Sequence, residues 1–282
     1  MKNIIEDMNG KVCAITGGAG VIGTSLATGL AEYGVNIAIL DLNKEAADKV
    51  AKDIAEKMGV KAIGVEANVL KKESLIEAKK EIISQMGEID YLINGAGGNS
   101  PKATAKQEFI DPKIVSDLNE TFFGLDMQGF SFVFDLNFMG TLLPTMVFAE
   151  DMIKREKGVI LNVSSMNAFR PLTKIPAYSA AKAAINNFTE WLSVHFAKSG
   201  VRVNAIAPGF FLTNQNRFLL TDEKTNELTP RGNKIISGTP MGKFGEPEDL
   251  VGTTVFLLSD MSKFVTGIII PVDGGFNAYS GV

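Results

Sequence analysis

The segment "IPAYSAAKAAINNF" sets Tyr178 and Lys182 four residues apart. On a helix that spacing turns both side chains to one face, and the surrounding alanines favour helix and let other elements approach closely. A phenol is a poor proton carrier near neutral pH, because its reference pKa is about 10. An ammonium group nearby, together with a cationic nicotinamide ring, would favour the phenolate and bring it toward the catalytic range. Upstream, "LNVSSMNAF" closes an apolar run with Ser164 and Ser165, so a hydroxyl donor can face the same space. The division of labour that follows has Tyr178 moving a proton, Lys182 biasing its pKa and holding a ribose, and Ser165 orienting a carbonyl or alcohol oxygen. A tyrosine and a lysine at this spacing are common as surface decoration, so the rest of the sequence must supply the context.

That context begins at "TGGAGVIG", residues 16–23, directly after the apolar run 12–15. Gly18, Gly20 and Gly23 form GxGxxG, in which glycine lets the backbone approach a pyrophosphate at a helix N-terminus. Alternatively, Thr16, Gly17 and Gly23 are the fixed points of TGxxxGxG, with Val21 in the middle glycine slot and Ile22 beside it. Both readings start a helix here. Asp41 closes the second apolar run, where a carboxylate can accept hydrogen bonds from an adenosine ribose. Leu42 beside it supplies no guanidinium for a ribose phosphate, which favours NAD over NADP, with Lys44 the one nearby positive charge. The competing role for Asp41 is to cap the helix that opens with "NKEAAD".

The elements that must position these groups are legible as alternation. Short runs rich in valine and isoleucine at 12–16, 36–40, 60–65, 89–94, 158–164, 201–206 and 268–272 are separated by helix-length segments near 23–33, 44–58, 71–86, 131–156, 177–198 and 247–258. Near-continuous apolar strands suit a parallel sheet covered on both faces. The fold expected is an α/β, doubly wound Rossmann fold with a seven-stranded parallel sheet, its strand C-termini gathered along one edge by right-handed crossovers. No linker, repeat or low-complexity tract divides residues 1–282, so one domain is expected. Two stretches break the rhythm: 99–129, an insertion, and 210–244, a substrate-loop region. Each follows a candidate strand and would form a lid or pocket wall, or else a surface insertion or oligomer contact.

Composition narrows the class. The 282 residues are 45% hydrophobic and 21% charged, with a formal net charge of -4, which gives no polybasic surface for nucleic acid. Cys13, the single cysteine, excludes an intrachain disulfide framework, and with one histidine no metal site is expected. His195, one helical turn beyond Trp191, is expected to cover a packed or intersubunit face. "MKNIIEDMNGK" lacks the apolar core of a signal peptide, and "GFSFVFDLNFMGTLLPTMVF" is interrupted by Asp135, Asn137 and Pro144, which argues for a buried helix rather than a membrane span. A cytoplasmic enzyme is expected.

Taken together, the ordered motifs resemble the short-chain dehydrogenase/reductase family from near the N-terminus to the end of the sequence. Thr16 and Gly17 open the cofactor loop; Asn94, Gly95, Ala96 and Gly97 match the family segment after the fourth strand; Ser165 stands thirteen residues before Tyr178, and Lys182 completes YxxxK. The resemblance implies that Asn137 is the catalytic asparagine, which holds a water in the proton relay, and that Pro208, Gly209, Phe211 and Thr213 meet the nicotinamide end. It implies hydride transfer between nicotinamide and a carbinol carbon, and packing of the long helices around Asn137 and Trp191 in a homodimer or homotetramer. Two positions depart from the pattern: Val21 replaces the middle glycine, and Asn68, before Val69, stands where an adenine-contacting aspartate is usual. An amide can still hydrogen-bond adenine.

More narrowly, "FVFDLNFMGTLLPTMVF", "SSMNAFRPLTKIPAYSAAKAAI" and "APGFFLTNQNRFLLTDE" resemble the family's branch of D-mannonate oxidoreductases, or fructuronate reductases, which interconvert D-fructuronate and D-mannonate. For such a sugar acid, Arg170, Lys174 and Arg217 are candidates to hold a carboxylate, since a guanidinium binds it with two hydrogen bonds. Asn99, Asn167 and Asn216 are candidates for sugar hydroxyls. The alternatives are a reductase of another polyol, keto acid or hydroxy ketone, and a dinucleotide-binding regulator without turnover.

Overall fold

The computed structural model describes residues 4–113, 116–212, 217–222, 225 and 227–281. After a short helix α1 (Ile4–Met8), strands and helices alternate: β1 (Val12–Thr16), α2 (Val21–Ala31), β2 (Asn36–Asp41), α3 (Lys44–Met58), β3 (Ala62–Glu66), α4 (Lys72–Met86), β4 (Tyr91–Asn94), α5 (Met127–Lys154), β5 (Gly158–Val163), α6 (Pro176–His195) and β6 (Val201–Pro208). Helices α7 (Arg217–Leu220), α8 (Pro230–Ser237) and α9 (Val251–Leu258) precede β7 (Ile269–Val272). The strands form one parallel sheet in the order β3-β2-β1-β4-β5-β6-β7, the doubly wound Rossmann arrangement expected.

Alternation along the strands divides the core in two. Cys13, Ile15, Ile37, Ile39, Ile93 and Leu161 face a layer made by α2, α3 and α9, while Ala14, Ala38, Leu40, Leu92 and Ile160 face α4, α5 and α6. Burial on both faces is why these strands read as unbroken apolar runs. Local signals set the helix ends. Asn43 accepts from Ala46 N at the start of α3, and Gly59, at φ 71°, ends it. Gly20 is extended, so α2 begins at Val21, two residues ahead of the expected start. Asp126 caps α5 by accepting from Gln128 N, which starts that helix four residues early. The expected helix 247–258 divides into a single 3-10 turn, Pro247–Leu250, followed by α9.

Sheet order reverses between β1 and β4, so the strand ends on either side of that point diverge and open a crevice. Thr16, Asn94, Ser164 and Pro208 all lie at this edge. Helix α5 is long and apolar enough to cross a membrane by length and composition, yet half of its most apolar window is buried, and it packs against α4, α6, β4 and β5.

Among its described residues the insertion holds three single-turn 3-10 helices, Pro101–Ala103, Leu118–Glu120 and Phe122–Gly124. It is seated on α5 and α6, because Ala103 is packed with Val133 and Ala177, and Phe130 and Tyr178 close the same cluster. Gly129 permits that contact: a Cβ there would stand 2.6 Å from Lys102 Cβ. Gly129→Val should therefore push the insertion off α5 at a cost of about 1–3 kcal/mol. Faster proteolysis between residues 101 and 126, with the sheet still protected from hydrogen exchange, is the expected outcome; an unchanged cleavage rate would contradict this seating.

Candidate active site

Backbone atoms build the first half of the site. Gly17 lies at φ 63°, and a Cβ on it would meet Ala96 Cα at 2.8 Å. On Gly23 a Cβ would stand 2.5 Å from Gly17 O and 2.7 Å from Gly18 Cα, so the first turn of α2 folds directly onto the loop. On Gly18 it would stand 2.9 Å from Ile15 O. These three positions have no room for a side chain, whereas Val21 does. Its side chain lines a groove shared with Thr24, Thr28 and Pro247, so the missing glycine is accommodated on the outer face of α2. Both ways of reading "TGGAGVIG" contain close contacts, Gly17 in one, Gly18 in the other and Gly23 in both.

Asp41 is tied to this loop. Its carboxylate accepts from Ala19 N at 3.2 Å and from Asn43 N at 3.1 Å, which fixes it beside the glycines at the end of β2. Leu42 is exposed. Thr16 Oγ1 accepts from Gly95 N at 3.1 Å and Ala96 N at 3.3 Å, drawing the segment after β4 against the end of β1. Asn68 Oδ1 accepts from Leu70 N and so shapes the turn into α4, while Val69 is buried and packs toward Gly140. Gly209 closes on β7, its N donating to Val272 O, and Phe211 is buried against Gly245. Thr213 and Asn216 lie outside the described residues. A helix N-terminus packed against a glycine loop, a strand-end carboxylate and a second glycine segment fit a dinucleotide along the crevice.

The second half of the site comes from α5, β5 and α6. Asn137 is fully buried; its Nδ2 donates to Gly98 O and Val133 O, both at 2.7 Å, and its Oδ1 accepts from Gly98 N at 3.2 Å. Gly97 packs between Asn137 and Lys182, with room for no side chain. Lys182 Nζ donates to Val163 O at 2.8 Å and lies 5.5 Å from the centre of the Tyr178 ring. Tyr178 and Ser165 share a hydrogen bond, and Ser165 Oγ also accepts from Asn167 N. Ser165, Tyr178, Lys182 and Asn137 thus meet at one place, next to the cofactor loops.

Burial dominates the electrostatics of the tyrosine and the lysine. Burial raises the Tyr178 phenol above its ordinary value, only partly offset by the Ser165 hydrogen bond, so the phenol is a proton donor at neutral pH rather than a ready phenolate. The same burial lowers the Lys182 pKa to about 7.

The candidate substrate residues separate into groups. Asn167 is buried, and its Oδ1 has no hydrogen-bond partner among the described residues. Asn99 is exposed and donates to Thr104 Oγ1; Arg170 is exposed and donates through Nε to Asn277 O of the C-terminal segment; Arg217 is exposed at the start of α7. Over the site, Ala105 N donates to Lys174 O, and Lys234 of α8 pairs with Glu108 at 2.6 Å, so the insertion forms a wall joined to the substrate-loop region.

Comparison with known proteins agrees with this geometry. A family model described as enoyl-(acyl carrier protein) reductase matches residues 17–277. The protein belongs to the short-chain dehydrogenase/reductase family. It is an oxidoreductase whose hydride carrier is a nicotinamide dinucleotide. An uncharacterized oxidoreductase of Haemophilus influenzae is 55% identical over 98% of this chain and 96% of its own length. The uncharacterized oxidoreductase UxuB of Bacillus subtilis is 50% identical over 98% of each. A crystal structure with bound NAD, of a Haemophilus protein provisionally named a D-mannonate oxidoreductase, superposes with a TM-score of 0.93 at 54% identity, covering 99% of this chain and 100% of that one.

Several site residues left no mark in the sequence. Ala19, Gly98 and Val163 act through backbone N–H or C=O groups that any residue type would carry. Ala103 and Ala177 matter because they are small enough to seat the insertion beside Tyr178.

Burial of Lys182 has a consequence for stability. Its pKa falls from 10.5 to about 7 on folding, so between those values the unfolded state binds a proton that the folded state lacks, and this residue makes stability rise with pH across that window. In Lys182→Met that contribution is gone. The melting-temperature difference between variant and parent should favour the variant most near pH 7 and shrink toward about pH 9.5; a difference independent of pH would contradict the buried amine.

Proposed function

We propose that this oxidoreductase reduces D-fructuronate to D-mannonate with NADH and catalyses the reverse oxidation with NAD. The observation that carries the reading is the likeness, along nearly the whole of both chains, to the NAD-bound Haemophilus protein provisionally named a D-mannonate oxidoreductase. A bound nicotinamide dinucleotide supplies or accepts the hydride at the substrate carbon. Tyr178 gives its phenolic proton to the carbonyl oxygen during reduction and recovers it during oxidation. Ser165 orients that oxygen, Lys182 steadies the ribose and the phenol, and Asn137 holds the water through which Tyr178 is reprotonated.

NAD is preferred over NADP because Asp41 places a negative charge where a ribose phosphate would lie, while accepting from ribose hydroxyls. Thr16, Gly17, Gly18, Gly20, Val21, Ile22, Gly23, Asn68, Val69, Asn94, Gly95, Ala96, Gly97, Pro208, Gly209, Phe211 and Thr213 line the path of that cofactor. A hydroxylated substrate suits the unpartnered Asn167 Oδ1, a buried acceptor that lacks a donor among the described residues. Its carboxylate would meet positive charge in the bordering segments that carry Arg170, Lys174 and Arg217. The assembly is a homodimer or homotetramer working in the cytoplasm; the exposed Phe132, Met146, Trp191 and Val194 on α5 and α6 are the surfaces a second copy would cover.

The test is a cofactor-absorbance assay over D-fructuronate, D-tagaturonate, uncharged ketohexoses and small hydroxy ketones, each with NADH and NADPH. Preference for D-fructuronate and NADH, with D-mannonate as product, is expected. Equal or better turnover of an uncharged ketose would replace the substrate, preference for NADPH would displace Asp41 from its role, and no redox change with any compound would favour a dinucleotide-binding regulator.

A further inference from the structure

Beneath the site, buried polar side chains run across the sheet from α5 to α6. Asn94 Nδ2 donates to Thr145 Oγ1 at 2.9 Å and to Asn162 Oδ1 at 2.8 Å, and Asn162 Nδ2 donates to Thr189 Oγ1 at 2.9 Å. The two threonine hydroxyls donate in turn to Thr141 O and Ile185 O of their own helices, both at 2.8 Å. Thr141 continues the run upward, donating to Asn137 O at 2.9 Å. Every one of these side chains is at most 2% exposed.

Such a run is costly to keep. Amides and hydroxyls lose hydration when buried, and one-to-one replacement by apolar groups of similar shape is often neutral. Asn94 Oδ1 even lacks a hydrogen-bond partner among the described residues. The geometry suggests what the cost supports. Asn94 and Asn162 are register partners, Asn94 as the last residue of β4 directly before the Gly95–Gly97 turn and Asn162 as the penultimate residue of β5, two before Ser164. Thr145 follows Asn137 by eight residues on α5, and Thr189 follows Lys182 by seven on α6, in each case about two helical turns. Val163, whose carbonyl receives Lys182 Nζ, is the neighbour of Asn162. Apolar contacts between helix and sheet allow sliding by fractions of an ångström, whereas hydrogen bonds of fixed direction do not.

We propose that Asn162, pinned to Thr189 and through Asn94 to Thr145, is a positioning residue that sets the height of α5 and α6 over the sheet, so that Asn137, Tyr178 and Lys182 arrive in register at the cofactor loops. This rests on the family's oxidoreductase chemistry and is independent of which carbonyl compound is the substrate. Misplacement of reacting groups by about 1 Å can cost 10²-fold in rate, so a smaller slip should cost about tenfold.

The experiment compares Thr189→Val, which keeps shape and removes the hydroxyl, with Thr189→Ser, which keeps the hydroxyl, and repeats the valine change at Thr145. Melting temperature, NADH affinity by fluorescence, and kcat, KM and the pH profile with any carbonyl compound the parent reduces are measured. NADH affinity needs no substrate, so failure of the D-fructuronate reading leaves this test intact. Expected is a folded Thr189→Val with kcat lowered about tenfold, a displaced pH profile or NADH affinity weakened at least threefold, and recovery of most of the loss in Thr189→Ser. Unchanged kinetics and NADH affinity in folded valine variants would overturn the proposal. So would a serine variant no better than valine, or failure of both valine variants to fold, which would make the run a requirement of folding rather than of alignment.

Discussion

A lysine amine enclosed in the protein interior, with one backbone carbonyl as its hydrogen-bond acceptor, is the constraint around which the site is arranged. Burial depresses the pKa of Lys182 to about 7, and Val163 O holds its Nζ in place. Such a group is tolerated only where the surroundings are rigid and its hydrogen bonding is provided for. Gly97 has no side chain because Lys182 and Asn137 occupy that space. Tyr178 is held one helical turn away, with its phenol raised by the same burial. The enclosure that disfavours charge on the lysine thus keeps the phenol protonated and ready to donate.

The glycine loop follows a different rule, in which the absence of side chains lets backbone approach backbone. Gly17, Gly18 and Gly23 draw β1, the loop and α2 to contact distances that a Cβ would forbid. Asp41 then acts twice, bracing the loop through Ala19 N and presenting negative charge to the crevice. The two halves meet through Thr16, whose hydroxyl binds the Gly95–Ala96 backbone and brings the second glycine segment beneath Lys182.

Much of this was legible in the sequence, for identifiable reasons. The central strands, buried on both faces, must be apolar throughout, and the partly buried edge strands β3 and β7 are short runs rich in alanine, valine and isoleucine, which made them visible as well. Tyr178, Lys182 and Ser165 were legible because side-chain chemistry at fixed spacing points to a reaction site once a glycine loop and Asp41 accompany it. Helix starts were less so: the sequence placed α5 at 131, but the Asp126 cap begins it at Met127. The fate of Val21 was not legible, since tolerance of a side chain depends on which face of α2 has room. Nor was the phenol's raised pKa, which follows from burial. The insertion carried no periodic signal because single 3-10 turns and small-residue contacts such as Ala103 on Ala177 hold it, rather than an amphipathic face.

The central claim is that a protonated Tyr178, buried against Ser165 and Lys182, delivers the proton during carbonyl reduction. Tyr178→Phe tests it most directly, because the ring that packs with Ala103 and Ala177 is retained and only the oxygen is lost. With a verified substrate, the expected result is a folded protein that still binds NADH and turns over about 10²-fold more slowly or worse. Turnover close to that of the parent would show that the proton comes from another group, and would contradict the site as described.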